Sequence, residues 1–270
     1  MRVSIVHETV YRYADPATYS IQYLRLSPRS SPRQRVLSWK LYLPAPAQPW
    51  VDGFGNQAHV LVIDRPHKEI RIRAQGELEM QSDGHTVDDA NEQAPDLFLR
   101  ATRLTGADDA ITTLAERQRV WLRRDADAAL EDLMLAVRDR VDYRTGATES
   151  STTAGEAFAL GAGVCQDHAH VFVSCCRHLG IPARYVSGYL QTESDGRMAS
   201  HAWAEAFLQG TGWRGFDISN RTRPGMHHVR LAVGLDYLDA CPIRGFRRGG
   251  GEESMAVAVS VRDASAQQQQ

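Results

Sequence analysis

Apolar and polar residues alternate through the first third of the chain. In EIRIRAQGELEM, Ile70, Ile72, Ala74, Leu78 and Met80 share one face, and Arg71, Arg73, Glu77 and Glu79 share the other. A period of two is that of a strand with one face on a core and one in solvent. VLSWKLYL and HVLVID repeat the pattern, and DGFGN supplies turn residues between apolar runs. Residues 1–90 are therefore expected to form an antiparallel, sandwich-like β module that folds separately and carries no catalytic group. QSDGHTVDDANEQAPD, rich in Asp, Asn and Gly, has the composition of a linker to the remainder, 91–270.

The period then changes. After Asp125, a natural N-cap, Ala129, Leu130, Leu133, Met134, Val137 and Val141 recur at helical spacing. Thr153 and Glu156 have the spacing of a capping box at the start of a second helix, which Gly161 and Gly163 stop. A third helix starts near Val164 or Cys165 and ends at Leu179-Gly180-Ile181-Pro182. Strands follow in ARYVSGYLQ, SHAWAEAFL, WRGFD and MAVAVSV, and the final ASAQQQQ is expected to fray. Helices first and strands later predict an α+β domain rather than an alternating α/β one.

A chain of 270 residues with 43% hydrophobic and 24% charged residues can bury a sizeable core. The net charge of −2, without a dense basic stripe, argues against nucleic acid or an anionic membrane as partner. The opening MRVSIVHETVYRYADP lacks the apolar stretch of a signal peptide, and no run reaches the length of a membrane span. With four cysteines, the expectation is a cytoplasmic protein with reduced thiols.

The chemistry concentrates on GAGVCQDHAHVF. Cys165 opens a helix, where free N–H groups and the positive end of the dipole favour thiolate over thiol. A lone cysteine there is ordinarily a small buried hydrophobe, and that reading is kept for Cys175 and Cys176. The downstream strands change the balance for Cys165. Alternation in SHAWAEAFL puts His201, Trp203, Glu205 and Phe207 on one face, and WRGFD puts Trp213, Gly215 and Asp217 on one face. If Phe207 pairs with Trp213, Asp217 falls opposite Trp203 and diagonal to His201; a slip of one residue would turn the aspartate away. A thiolate to attack a carbonyl carbon, an imidazolium to protonate the leaving amine and a carboxylate to orient the ring form a complete nucleophilic set.

GVCQDHAHVF, GIPARYVSGYL, SHAWAEAFL and GWRGFDISN together resemble the core of the transglutaminase-like superfamily, in its bacterial members with an added N-terminal β region. The likeness is strongest over residues 130–220 and less specific in the N-terminal strands and HHVRLAVGLDY. It implies a papain-like core of helices packed on an antiparallel sheet, and a catalytic triad at Cys165, His201 and Asp217. It further implies acyl transfer from a glutamine carboxamide to an amine, or peptidase or amidase action. The substrate is then a peptide or protein, with an amine as the acceptor where transfer occurs. No cofactor or metal is implied, and neither hydrolysis nor transfer is singled out, nor an oligomeric state.

Other features carry bland readings. Cys165 and His168 share a helical face but His170 does not, and a recognised zinc spacing is missing. Gln166 and Asp167 suit the helix dipole or local hydrogen bonds, RRGGGEE is a turn, and His227 and His228 sit in a polar stretch where solvated histidines are the default. Trp203 walls the site or belongs to the core. The rival reading of the whole is a binding or scaffold module that kept the fold and lost turnover.

Overall fold

A computed structural model describes residues 1–81, 86–87, 94–191 and 198–263. The first strands are β1 (Arg2–Leu24), β2 (Gln34–Tyr42), β3 (Ala47–Val51), β4 (Gln57–Ile63) and β5 (His67–Met80). They form an antiparallel sheet in the order β2-β5-β1-β4-β3. In β5 the alternation holds: Ile70, Ile72, Ala74, Leu78 and Met80 are buried. On its outer face Glu77 and Glu79 meet Arg2 and Arg35, and Arg71 meets Glu8. The 23-residue β1 serves two sets of neighbours, and its ladder to β5 breaks between Arg12 and Ala17, around Pro16, which has no N–H to donate.

A two-residue strand β6 (Thr86–Val87) precedes a 3₁₀ turn at Pro95–Leu99, and the rest of the expected linker lies outside the described residues. Then come α1 (Asp109–Glu116), α2 (Arg119–Leu122), α3 (Ala126–Arg140), β7 (Asp142–Tyr143), α4 (Ala154–Leu160), β8 (Ala162–Gly163) and α5 (Cys165–His178). Asp125 caps α3 by accepting from Ala128 N–H, and Thr153 with Glu156 forms the reciprocal capping box of α4. The second sheet is built from β9 (Ala183–Gln191), β10 (Met198–Leu208), β11 (Gly212–Phe216) and β12 (His228–Gly234), in the antiparallel order β12-β9-β10-β11-β6. Helix α5 is the spine of this half. Val171, Phe172, Val173, Cys175 and Cys176 are fully buried, in one core with Leu130, Leu133 and Met134 of α3 and Ala204 and Ala206 of β10.

After the short helix α6 (Tyr237–Ala240), β13 (Ile243–Gly249) and β14 (Glu253–Asp263) return to the first sheet and pair antiparallel with β1. This corrects the expected division at residue 90. Residues 243–263 complete the N-terminal sheet, because β1 has an open edge whose backbone groups need partners.

The two sheets also share a core, in which Val3, Ile5, Leu24 and Leu78 pack with Tyr189 of β9 and Val229 and Leu231 of β12. Two side-chain amides stitch the edge of β12. Gln34 donates to Arg230 O (2.8 Å) and accepts from Arg230 N (2.9 Å), while Asn56 donates to Val233 O (2.7 Å) and accepts from Val233 N (2.9 Å). Each amide plays the part of a missing neighbouring strand, so the first sheet fixes the strand that opens with His228.

Candidate active site

Cys165 is the first residue of α5 and is half-buried, whereas Cys175, Cys176 and Cys241 are buried. Its mouth is shaped by Asp167, whose Oδ2 accepts from Val164 N–H (2.8 Å) and from Thr148 Oγ1 (2.6 Å). That carboxylate turns back over Gly163, where a Cβ would lie 2.7 Å from both Asp167 Cβ and Oδ2, so glycine is required there. With Asp167 occupied by Val164, the Cys165 N–H makes no hydrogen bond among the described residues, as is usual for the first turn of a helix. Burial pushes the Cys175 thiol up to about 12 and the Cys241 thiol up to about 11, so both are protonated at neutral pH.

The hairpin register is the one that places the aspartate on the histidine's side: Phe207 pairs with Trp213 and Ala204 with Phe216. Asp217 follows immediately and is held by a bridge to Thr222 across a tight turn. Arg221 in that turn has φ 55°, the one positive value for a non-glycine among the described residues. Such a left-handed residue costs about 1–2 kcal/mol, which the fixed turn must offset. His201 Nε2 donates to Asp217 Oδ2 at 2.8 Å, with the carboxylate fully buried. Trp203 lies stacked against the His201 ring, with centroids 6.2 Å apart at 29°. Directly across from His201 on β9 is Gly188, where a Cβ would sit 2.6 Å from the Trp203 ring and collide with Val229 O. The glycine makes the space that the tryptophan fills.

Burial alone would pull the His201 imidazolium down. The hydrogen bond to Asp217 and the nearby Cys165 sulfur, with the charges of both, outweigh it and push the ring up to about 10. Burial likewise raises Asp217, but hydrogen bonds from His201 and His228 overrule it and hold the carboxyl well below the usual range. The three residues singled out in the sequence thus come together: Asp217 is bonded to the His201 imidazole, and Cys165 lies close enough to act on the same ring.

The structure adds two residues. His228 is not solvated: its side chain is 7% exposed and its Nε2 lies 2.9 Å from Asp217 Oδ2. Asn220 donates from Nδ2 to the same oxygen at 2.7 Å. The signal for His228 was the alternation of HHVRLAV, which makes it the first residue of a strand rather than part of a loop. His227 is exposed, as its polar setting predicts. His168 and His170 do not approach a metal arrangement with Cys165. His168 bonds Ser219 Oγ and Val141 O, both at 2.8 Å, and His170 Nε2 accepts from Tyr237 N at 3.1 Å. His201, Asp217 and His228 do place possible ligand atoms within 4.8 Å of one another, but both ring nitrogens point at one oxygen and are engaged there by N–H donation.

Residues 3–79 match the family model described as the bacterial transglutaminase-like N-terminal region, and residues 112–218 match that of the transglutaminase-like superfamily. An uncharacterized protein of Mycobacterium leprae is 29% identical over 277 residues, taking in 96% of this chain and 98% of the relative. An uncharacterized protein of Mycobacterium tuberculosis (strain H37Rv) is 30% identical over 298 residues, 96% of this chain and 91% of the relative. A solved structure titled as a cysteine protease, without established activity, from Cytophaga hutchinsonii superposes with a TM-score of 0.73 over 98% of this chain and 91% of that one; at 22% identity it speaks for the fold alone. The chain belongs to the transglutaminase-like superfamily, with the bacterial N-terminal region in front of the core.

Proposed function

We propose that the protein is a cysteine acyltransferase or amidohydrolase that opens an amide bond of a peptide or protein through a thioester on Cys165. The observation that carries this reading is the single His201 ring, hydrogen-bonded to the buried Asp217 at 2.8 Å and near enough to the Cys165 sulfur at the mouth of α5 to feel its charge. A cation on that ring, stabilised by a buried carboxylate, stabilises a thiolate beside it.

The Cys165 sulfur attacks the amide carbonyl carbon, forming the C–S bond while the carbonyl electron pair moves to oxygen. That oxyanion accepts a hydrogen bond from the free Cys165 N–H. When the pair returns, the C–N bond breaks and His201 gives its proton to the departing nitrogen, which leaves as ammonia from a glutamine carboxamide or as an amine from a peptide bond. Water or an amine then attacks the thioester, its proton passes to His201, and the C–S pair returns to sulfur. Asp217 stays anionic and holds the ring throughout. These side chains carry every step, so the reading calls for no cofactor.

The four free cysteines fit a reducing compartment, and we assign the enzyme to the cytoplasm. No helix among the described residues is long and apolar enough to cross a membrane. The test is a glutamine-containing peptide library incubated with a tagged primary amine, read by mass. Amine incorporation, deamidation or chain cleavage that disappears in Cys165→Ala supports the proposal and identifies the branch. Products that persist in Cys165→Ala, or no product in any class, count against it.

A further inference from the structure

Two histidines address one oxygen of Asp217, and a nucleophilic triad needs only one of them. The partners of His228 fix its state. Nε2 lies 2.9 Å from a carboxylate oxygen, which can only accept, so Nε2 carries a proton. Nδ1 lies 3.2 Å from Gly225 N, whose N–H can only donate, so Nδ1 is bare. A ring so held is neutral and of one tautomer, because a second proton would set an N–H against the Gly225 N–H.

The surroundings agree. His228 faces His201, Asp217 and Arg33, and shares a polar recess with Glu205 and Arg230. Burial first, then the positive charges of His201 and Arg33, oppose a proton on it, against the pull of Asp217. Trp203 fixes both rings, lying edge-on to His228 (centroids 5.4 Å, 85°) and stacked on His201.

We propose that His228 is a positioning residue: held as the neutral Nε2–H tautomer by Gly225, it gives Asp217 a second imidazole hydrogen bond and so confines the proton of the pair to His201. The inference rests on the reading of Cys165, His201 and Asp217 as the acyl-transfer set. With N–H donors from His201, His228 and Asn220 on Oδ2, the carboxylate is a poor proton acceptor and cannot rotate away from His201. The imidazolium is thereby kept for the thiolate and for the leaving nitrogen. Donation by a ring that cannot itself charge is the useful feature, since two adjacent cations would compete for one carboxylate.

The experiment has two arms on the full chain. Long-range ¹H–¹⁵N correlation of ¹⁵N-histidine-labelled protein reads each ring directly. Between about pH 6 and 8, the range in which an ordinary histidine changes charge, His228 should keep one protonated and one bare nitrogen while His201 carries two protons. A doubly protonated His228, or the Nδ1–H tautomer, overturns the proposal. The second arm is the pH profile of Cys165 alkylation in His228→Gln and His228→Leu. Loss of a hydrogen bond to a charged group should slow His228→Leu by about tenfold or more and move the rise in rate to higher pH. The glutamine N–H should restore much of the loss. Equal profiles for wild type and His228→Leu, with melting unchanged, refute the role of His228 alone. If Cys165 of the wild type is no faster than the buried thiols and His201 is neutral, the acyl-transfer reading itself fails. Should His228→Leu not fold, the glutamine variant and the wild-type spectrum still decide.

Discussion

His201 and Asp217 are sixteen residues apart in sequence, yet His201 Nε2 and Asp217 Oδ2 are 2.8 Å apart in space. The link is the pairing of Phe207 with Trp213, which leaves the aspartate one step beyond the end of β11 on the histidine's side of the sheet. Replacing Asp217 by Asn keeps the shape and removes the charge that supports the imidazolium. Turnover should fall by about two to three orders of magnitude, with the protein still folded and melting within a few degrees of wild type. Cys165→Ala and His201→Ala should be worse. Unchanged turnover in folded Asp217→Asn would leave a Cys-His pair without a carboxylate.

Alkylation should single out Cys165. It is the half-buried thiol and sits against an imidazolium, while burial holds Cys175, Cys176 and Cys241 protonated and out of reach. Limited iodoacetamide treatment near neutral pH, followed by peptide mapping, should place nearly all label on Cys165 and lose it in His201→Ala. Equal, slow labelling of all four thiols would contradict this.

Gly188 tests the scaffold behind the site. An alanine Cβ there would meet the Trp203 ring at 2.6 Å and clash with Val229 O. Overpacking of this kind costs about 1–3 kcal/mol. Because Trp203 stacks on His201 and lies edge-on to His228, Gly188→Ala should lose activity out of proportion to its stability. Chemical denaturation and turnover measured together separate the two effects. A stable, fully active Gly188→Ala would mean that Trp203 does not position the rings.

Stability should fall on mild acidification. His7, His168 and His170 are buried neutral, and burial lowers each to about 4. Between about pH 6.5 and 4 the unfolded chain takes protons that the folded one refuses. The stabilisation is therefore full above the unfolded value of about 6.5 and lost as pH falls toward the folded value, at up to about 1.4 kcal/mol per pH unit for each ring. His201 runs the other way: its raised value of about 10 gives stability that is full below about 6.5 and lost as pH rises through 10. Urea unfolding across this pH range should show the acid slope, and His7→Gln should flatten it, since His7 joins the sheets through a 2.7 Å bond to Tyr189. A slope unchanged in His7→Gln would show that this ring takes protons in the folded state.

What the sequence made legible was local. The alternation of β5, the caps at Asp125 and Thr153, the bounds of α5 and the glycine-flanked turn between Phe207 and Trp213 are all written in neighbouring residues. Strand partners far along the chain are not. Nothing in MAVAVSV says that it pairs with β1 rather than with β10, and nothing near Gln34 or Asn56 says that their amides complete β12. The solvated setting expected for His228 fails for the same reason. Its partner Asp217 is eleven residues away across a turn, and only the placement of β12 beside β9 brings its ring inward.

The central claim is a thioester on Cys165, and acid-quenched intact mass spectrometry tests it most directly. With an amide substrate found by library screening, the account predicts an adduct of the acyl mass on Cys165 within the first turnovers. The adduct should be discharged by hydroxylamine, absent in Cys165→Ala, and longer-lived in His201→Ala when loaded from an activated ester. Turnover of that substrate without any acyl adduct on Cys165, or an adduct that maps to another residue, would contradict the account.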